Sequence, residues 1–128
     1  MYIPNIYKSE DQELMKNIIS ENGFALLISD KDKLSATHSM FLLNETEDGF
    51  FLETHISKAN FQAKVLKDGD EVLCDFLGAH SYISSSWYDH QNVSTWNYEA
   101  VQIRGKVKLM NDDELYEHLR KLTFKYEK

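Results

Sequence analysis

Short strand-like segments joined by hairpin-length connections are the feature that most limits what this chain can fold into. The clearest segment covers residues 98–110, where Val101 and Ile103 alternate with Gln102 and Arg104. An apolar side chain at every second position is typical of a strand with one buried face. The segment therefore predicts a strand in a sheet that is covered on one side.

Other segments complete the prediction. We expect strands over residues 24–28, 34–43, 50–56 and 71–77, the second and third forming a hairpin around a turn at 44–49. We expect three helices, one after a capping box at Ser9–Gln12, one over 61–67 capped by Asn60, and one after Asn111 with an apolar stripe of Leu115, Leu119 and Leu122. The order α-β-β-β-α-β-β-α favours a mainly antiparallel sheet or small barrel with peripheral helices, in a single domain over 1–128.

Composition excludes several classes of protein. The 128 residues carry a net charge of −7, which argues against general binding to nucleic-acid backbones. No apolar run approaches the ~18 residues of a membrane span, and the first residues lack a signal-peptide pattern. Cys74 is the single cysteine, so no intrachain disulfide or paired-cysteine metal site is expected. We expect a cytoplasmic protein.

The region from Tyr82 to Tyr98 combines both tryptophans with Tyr, Ser, Thr and Asn. Such side chains offer flat apolar faces together with hydrogen-bonding groups, which suits a flat heteroaromatic ligand with polar edges. A packed aromatic corner of a β protein is an equally good explanation of this composition.

A second candidate site lies at residues 54–60, between a strand and the short helix. Thr54 and Ser57 supply hydroxyls there, while Lys58 and Lys64 supply positive charge that could hold a phosphate group. A capped helix with solvated lysines explains the same residues without any ligand.

Metal binding and nucleophilic catalysis have weaker support. The five histidines show no spacing that places two ligands on one helical face, so no metal site is predicted. Cys74 lies in an apolar strand, and the serines at 84–86 lack the context of a nucleophile elbow.

Several motifs together resemble one known family, the PaiB-type FMN-binding negative transcriptional regulators. The motifs recur in order along the chain: Met1–Pro4, Ala36–His38, His55–Asn60, Ala79–Ser84, Trp87–Tyr88 and Thr95–Tyr98. The family's prolines are replaced at Met40, Phe61, Ala79, Ser85 and Ser94. The family also has a longer C-terminal half, with a further barrel strand and a basic segment, than the sequence ending at Lys128.

The resemblance implies a fold, a cofactor and a set of site residues. It implies an FMN-binding split β-barrel, related to pyridoxamine-phosphate oxidases, that forms homodimers with flavin bound in shared grooves. By resemblance, the phosphate end of FMN would be held by Thr54, His55, Ser57, Lys58, Asn60 and Lys64. The isoalloxazine edge would lie along Thr37, His38 and Ser39. The partner protomer would complete the site with Trp87, Trp96 and Asn97.

Three functions remain open at this stage. The protein could be a flavin-dependent oxidoreductase of unknown substrate, a regulatory flavin-binding module, or a haem-binding or haem-degrading relative. No residue identifies a substrate, and no helix-turn-helix pattern supports direct DNA binding.

Overall fold

A computed structural model of the protein describes residues 1–87 and 89–127. Over these ranges, five strands form one antiparallel sheet in the order β3-β2-β1-β4-β5. The strands are β1 (Phe24–Ser29), β2 (Ser35–Thr46), β3 (Gly49–Thr54), β4 (Glu71–Ile83) and β5 (Thr95–Lys106). The helices are α1 (Gln12–Glu21), α2 (Phe61–Val65) and α3 (Asp112–Tyr126), with single 3₁₀ turns at Asn5–Tyr7 and Ser85–Trp87. The predicted element order is confirmed, and the sheet is open.

The β2–β3 hairpin is tighter than the predicted turn at 44–49. Thr46 already pairs with Gly49, so two residues separate the strands. Gly49 has a φ of +146°, a conformation that side chains rarely adopt, which explains a glycine there. Because Asn44 and Glu45 are polar, the sequence did not indicate that β2 continues through them.

The polar side chains of β2 point inward. Ser39 is buried and Ser35 and Thr37 are half-buried, whereas Ala36 and His38 are exposed. The cause is Gln62 on α2, whose side chain is fully buried against β1 and β2. Its amide nitrogen donates to the Leu27 carbonyl at 3.1 Å and to Ser29 Oγ at 2.8 Å. A polar strand face is stable there because a buried amide satisfies its hydrogen bonds.

Strands β4 and β5 extend further toward their shared turn than predicted. We expected strands over 71–77 and 98–110, but pairing runs on to Ile83 and back from Thr95. A β-bulge at Gly78 and Ala79 shifts the register between Leu77 and His80. Residues 79–83 and 95–99 form a two-stranded extension, here called the arm. All arm residues except Ile83 are exposed, so no buried face produced a periodic pattern in the sequence.

The end of β5 was also predicted wrongly. It ends at Lys106, and the following backbone turns to meet residues 68–70. Leu109 N donates to Asp68 Oδ1 at 2.6 Å, and Val107 N donates to the Asp70 carbonyl at 2.8 Å. In the sequence, apolar and polar residues continue to alternate beyond Lys106. The pattern alone therefore could not show that loop contacts replace strand pairing there.

Two of the predicted helix starts hold and one is displaced. Asn111 and Glu114 form the expected capping box of α3, and Asn60 Oδ1 accepts the Gln62 N–H at the start of α2. The first helix is capped by Asp11, whose carboxylate accepts from the second and third helical N–H groups. Ser9 instead accepts a hydrogen bond from Asp11 N at 3.2 Å. Asp11 is the better cap because its side chain lies directly before the helix.

The buried stripe of α3 differs from the expected row of leucines. Leu122 is buried, but Leu119 is 41% exposed, and the fully buried residue of this helix is His118. The core that α1 and the sheet enclose is apolar and includes an edge-to-face pair of Phe41 and Phe76. Among the described residues, no helix is long and apolar enough to cross a membrane.

Candidate functional site

A surface cavity of about 290 Å³ lies between the ends of β1 and β2 and the segment that joins β3 to α2. It is lined by Phe24, Thr37, His38, Ser39, Met40, His55, Ile56, Ser57 and Asn60. Six of these residues belong to the set predicted from the sequence. The fold therefore brings the Ala36–Ser39 motif and the His55–Asn60 motif to one hollow.

The hydroxyls and amide of this cavity are held by a partly buried hydrogen-bond network. Thr37 Oγ1 donates to Gln62 Oε1 and accepts from Asn60 Nδ2 at 2.9 Å. Ser39 Oγ bonds Thr54 Oγ1 at 2.8 Å, and Thr54 Oγ1 also donates to the Met40 carbonyl at 2.7 Å. These side chains are fixed before any ligand arrives, which lowers the entropy cost of binding.

An exposed aromatic pair adjoins the polar side of the cavity. The rings of Phe24 and His38 are stacked, with centroids 5.5 Å apart and planes 16° from parallel. Phe24 is 68% exposed although it begins a central strand. Phe24 and Met40 also line a second hollow of about 380 Å³, which extends the first toward Leu77 and Tyr126. The two hollows share Phe24 and Met40 in their linings and are together called the groove.

His55 connects the cavity to the interior of the protein. Its Nδ1 lies 3.0 Å from Nε2 of His118, and His118 Nδ1 lies 3.2 Å from the Glu53 carboxylate. Lys121 Nζ lies 3.1 Å from the same carboxylate oxygen. Burial raises the pKa of Glu53, but hydrogen bonds from Lys121 and His118 outweigh it and hold that pKa below its ordinary value. Burial lowers the pKa of His118, and Glu53 opposes this only in part.

The remaining residues of the predicted phosphate group do not line the cavity. Thr54 is turned toward β2, and Lys58 and Lys64 are exposed on the turn before α2 and on α2 itself. Ser57 lines the cavity and its Oγ accepts the Ala59 N–H at 3.2 Å. The structure thus separates the polar lining from the positive charges that the sequence grouped with it.

The predicted aromatic residues lie in another part of the protomer, on the arm and the turn that follows β4. Trp96 is half-exposed, stacks on His80 with centroids 5.7 Å apart, and donates from Nε1 to His80 Nδ1 at 3.1 Å. Asn97 pairs with Ser81 across the arm. Trp87 is 68% exposed, and Tyr88 of the same motif lies outside the described residues.

Cys74 is a free cysteine buried in β4. Burial raises the pKa of its thiol to about 11, so the thiolate is scarce. Within the described ranges, no three His, Cys, Asp or Glu side chains gather to hold a metal ion.

Sequence reasoning missed three residues that line the cavity, Phe24, Met40 and Ile56. It also missed three residues behind the lining, Glu53, Gln62 and His118. A buried glutamine or histidine on a helix has no local signal, because its partners come from strands distant in sequence. The nearest available signal was the position of His118 between Leu115 and Leu122, on the apolar side of α3.

Comparison with known proteins agrees with this geometry. All of residues 1–128 match the family model described as "Putative FMN-binding domain". The chain belongs to this family. The resemblance to PaiB-type FMN-binding proteins is thereby confirmed, and the five-stranded antiparallel sheet with three helices is consistent with the split-barrel fold of such domains.

The curated relatives that this chain matches are longer than the chain itself. Protease synthase and sporulation protein PAI 2 of Bacillus subtilis is 39% identical over 129 residues, covering 100% of this chain and 62% of the relative. Uncharacterized protein YKL070W of Saccharomyces cerevisiae is 29% identical over 87 residues, covering 63% of this chain and 52% of the relative. Uncharacterized protein AN0679 of Emericella nidulans is 31% identical over 109 residues, covering 63% of this chain and 43% of the relative. The chain thus spans between 43% and 62% of these relatives.

Proposed function

We propose that this protein binds FMN in the cavity between β2 and the His55–Asn60 segment. The observation that carries the proposal is the meeting of two separate motifs in one hollow, with hydroxyl, amide and imidazole groups on one side and the Phe24–His38 stack on the other. Ligand sites commonly combine a few fixed polar groups with an apolar wall. A flavin has the matching form, a flat ring system with polar edges and an anionic phosphate at the end of a chain.

Within the proposed site the residues have different tasks. Thr37, His38 and Ser39 would face the ring edge, while His55, Ser57 and Asn60 would face the phosphate end, with Lys58 and Lys64 adding positive charge nearby. Thr54 fixes Ser39 rather than contacting the ligand. When bound, the flavin would supply hydride or electron chemistry, and the protein supplies position and polarity.

The proposed site is shared by two protomers. The arm carries Trp96, Tyr82 and Tyr98, which are 50–56% exposed, on a ribbon that is covered on neither face. A two-stranded ribbon of this kind gains stability by packing against another surface. In a symmetric homodimer the arm of each protomer would cover the groove of its partner, and Trp87, Trp96 and Asn97 would complete the flavin site.

For the biological role we propose a cytoplasmic flavin-binding regulatory module. The support is the similarity to PAI 2, whose name refers to protease synthesis and sporulation. The alternative role is a flavin-dependent oxidoreductase. Nicotinamide-dependent reduction of bound FMN at a rate typical of enzymes, with kcat above ~1 s⁻¹, would favour that alternative.

The absorption spectrum of the purified protein, incubated separately with FMN and with haem and then desalted, tests the cofactor. We expect the paired near-ultraviolet and blue bands of bound flavin after incubation with FMN. A Soret band retained after incubation with haem, with no retention of flavin, would overturn the FMN proposal in favour of a haem protein. A colourless protein in both cases would overturn it as well.

A further inference from the structure

Glu53, His118 and His55 form a continuous hydrogen-bonded row from the interior to the cavity. Glu53 belongs to β3 and is 15% exposed, His118 belongs to α3 and is 0% exposed, and His55 follows β3 and lines the cavity. The two imidazole rings meet edge to face, with centroids 5.1 Å apart. The segment at residues 53–55 therefore meets a histidine of α3, more than sixty residues further along the chain, in one polar row.

The row fixes the position of its hydrogens. An ionised carboxylate can only accept, so His118 Nδ1 carries the hydrogen that is donated to Glu53. In neutral His118 the other nitrogen, Nε2, is then an acceptor, and the hydrogen between the two rings belongs to His55 Nδ1. The remaining nitrogen of His55, Nε2, is left with a lone pair on the cavity side. Neutral histidine in water favours the opposite tautomer, with its hydrogen on Nε2.

One added proton changes the hydrogen-bonding role of His55 Nε2. Whether the positive charge rests on His55 or on His118, the shared N–H···N contact stays intact and His55 Nε2 carries a hydrogen. The charged groups that act on the pair are Glu53 from β3 and Lys121 from α3. Glu53 favours the extra proton and Lys121 opposes it. A single protonation thus converts the cavity-facing nitrogen from acceptor to donor.

We infer that His118 is a positioning residue, which together with Glu53 holds His55 with Nδ1–H toward the interior and Nε2 toward the cavity. The pair then acts as a one-proton switch at the ligand-facing atom. This inference rests on the proposed function for its ligand: a phosphate group, as an acceptor, would select the protonated pair, because only that form presents an N–H. The arrangement of the free protein does not depend on which ligand binds.

Nitrogen-15 NMR of histidine-labelled protein tests the inference directly, because it distinguishes protonated from unprotonated ring nitrogens. In the free wild-type protein at mildly alkaline pH, we expect His55 in the Nδ1–H form. His118→Leu should return His55 to the Nε2–H form. His118→Gln should retain the Nδ1–H form, because an amide oxygen can accept in place of the ring nitrogen.

Charge and ligand provide the second half of the test. Glu53→Gln should move the titration of the pair to lower pH, because the carboxylate that favours the proton is gone. Glu117→Gln, on the exposed side of α3 next to Arg120, is the matched control and should leave the titration unchanged. FMN added near neutral pH should protonate His55 Nε2, and riboflavin, which lacks the phosphate, should not.

The outcomes separate this inference from the proposed function. An Nε2–H tautomer of His55 in the wild type, or an Nδ1–H tautomer that survives in His118→Leu, would overturn the positioning role even if FMN binds. An unchanged titration in Glu53→Gln would show that Glu53 takes no part in positioning His55. If the tautomers are as expected but FMN causes no spectral change at saturating concentration, the positioning role stands and the proposed function fails.

Discussion

At the scale of single residues, Gln62 supports the cavity without lining it. Its amide links β1, β2 and α2, and its oxygen accepts from Thr37, which lines the cavity. No local pattern indicates this, because a glutamine in a short helix is ordinarily exposed. By contrast, Thr37 and Ser39 lie in a strand that the sequence predicted over residues 34–43.

Replacing Gln62 with leucine should destabilise the protein through its unpaired neighbours. Leu27 O and Ser29 Oγ would lose the amide donor of Gln62, and the Thr37 hydroxyl would lose the acceptor to which it donates. One buried polar group left unsatisfied costs about 1–3 kcal/mol. Urea denaturation measures the change. Gln12→Leu, at the exposed start of α1, is the control and should change the unfolding free energy by less than about 0.5 kcal/mol. A Gln62→Leu protein as stable as the wild type would contradict the network.

The histidine and carboxylate of the buried row predict a dependence of stability on pH. The pKa of His118 is lowered in the folded state, so the unfolded chain binds a proton first as the pH falls. The contribution of His118 is therefore complete above about pH 6.5 and decreases as the pH falls through the lowered value. The pKa of Glu53 is also lowered, so a further loss follows below about pH 4.5 as its carboxylate is protonated.

Urea denaturation between about pH 5 and 7.5 checks the first of these stages. The wild-type unfolding free energy should rise with pH across this range, and His118→Gln should flatten the rise. If the two proteins show the same slope, the lowered pKa of His118 is not the cause.

At the scale of elements, capping signals were the most reliable part of the sequence. The α3 capping box at Asn111 and Glu114 and the Asn60 cap of α2 depend on neighbouring residues alone, so the sequence contains all that is needed. Strand ends were less predictable. The arm continues β4 and β5 without a buried face, and its pairing follows from the register of the whole hairpin rather than from alternation.

The cap of α3 should have a measurable effect because this helix carries His118. Asn111→Ala removes the side chain that accepts the Glu114 N–H at 2.8 Å and should cost about 1 kcal/mol. Asn17→Ala, on an exposed position within α1, is the matched control and should be neutral or slightly stabilising. Equal unfolding free energies for Asn111→Ala and the wild type would show that the cap contributes nothing.

At the scale of the whole molecule, the sequence indicated the sheet, and the family resemblance assigned the two halves of the site to opposite protomers. Within one chain the fold places His55 at the cavity and Trp96 on the exposed arm. A single protomer offers the arm no covering surface among its described residues. The proposed shared site would therefore depend on assembly, which local sequence patterns do not show.

Two variants, one in each half of the proposed site, test whether two protomers share it. Lys58→Ala should weaken FMN binding by about 1.5–3 kcal/mol if its contact with the phosphate is shielded. Trp96→Ala should weaken binding by removing an aromatic contact near the ring. Mixing the two variants should restore one intact site per heterodimer, because one groove then receives Lys58 and Trp96 from opposite chains. A mixture without recovery, or a monomer in sedimentation that still binds FMN, would exclude the shared site.

Calorimetric titration of the wild-type protein with FMN, repeated with riboflavin, tests the central claim most directly. We predict saturable binding of one FMN per protomer and weaker binding of riboflavin, because His55 and Ser57 lose the phosphate that they would contact. Ser57→Ala should reduce the difference between the two ligands. Absence of FMN binding, or equal affinities for FMN and riboflavin that Ser57→Ala leaves unchanged, would contradict the assignment of this cavity to the phosphate end of a flavin.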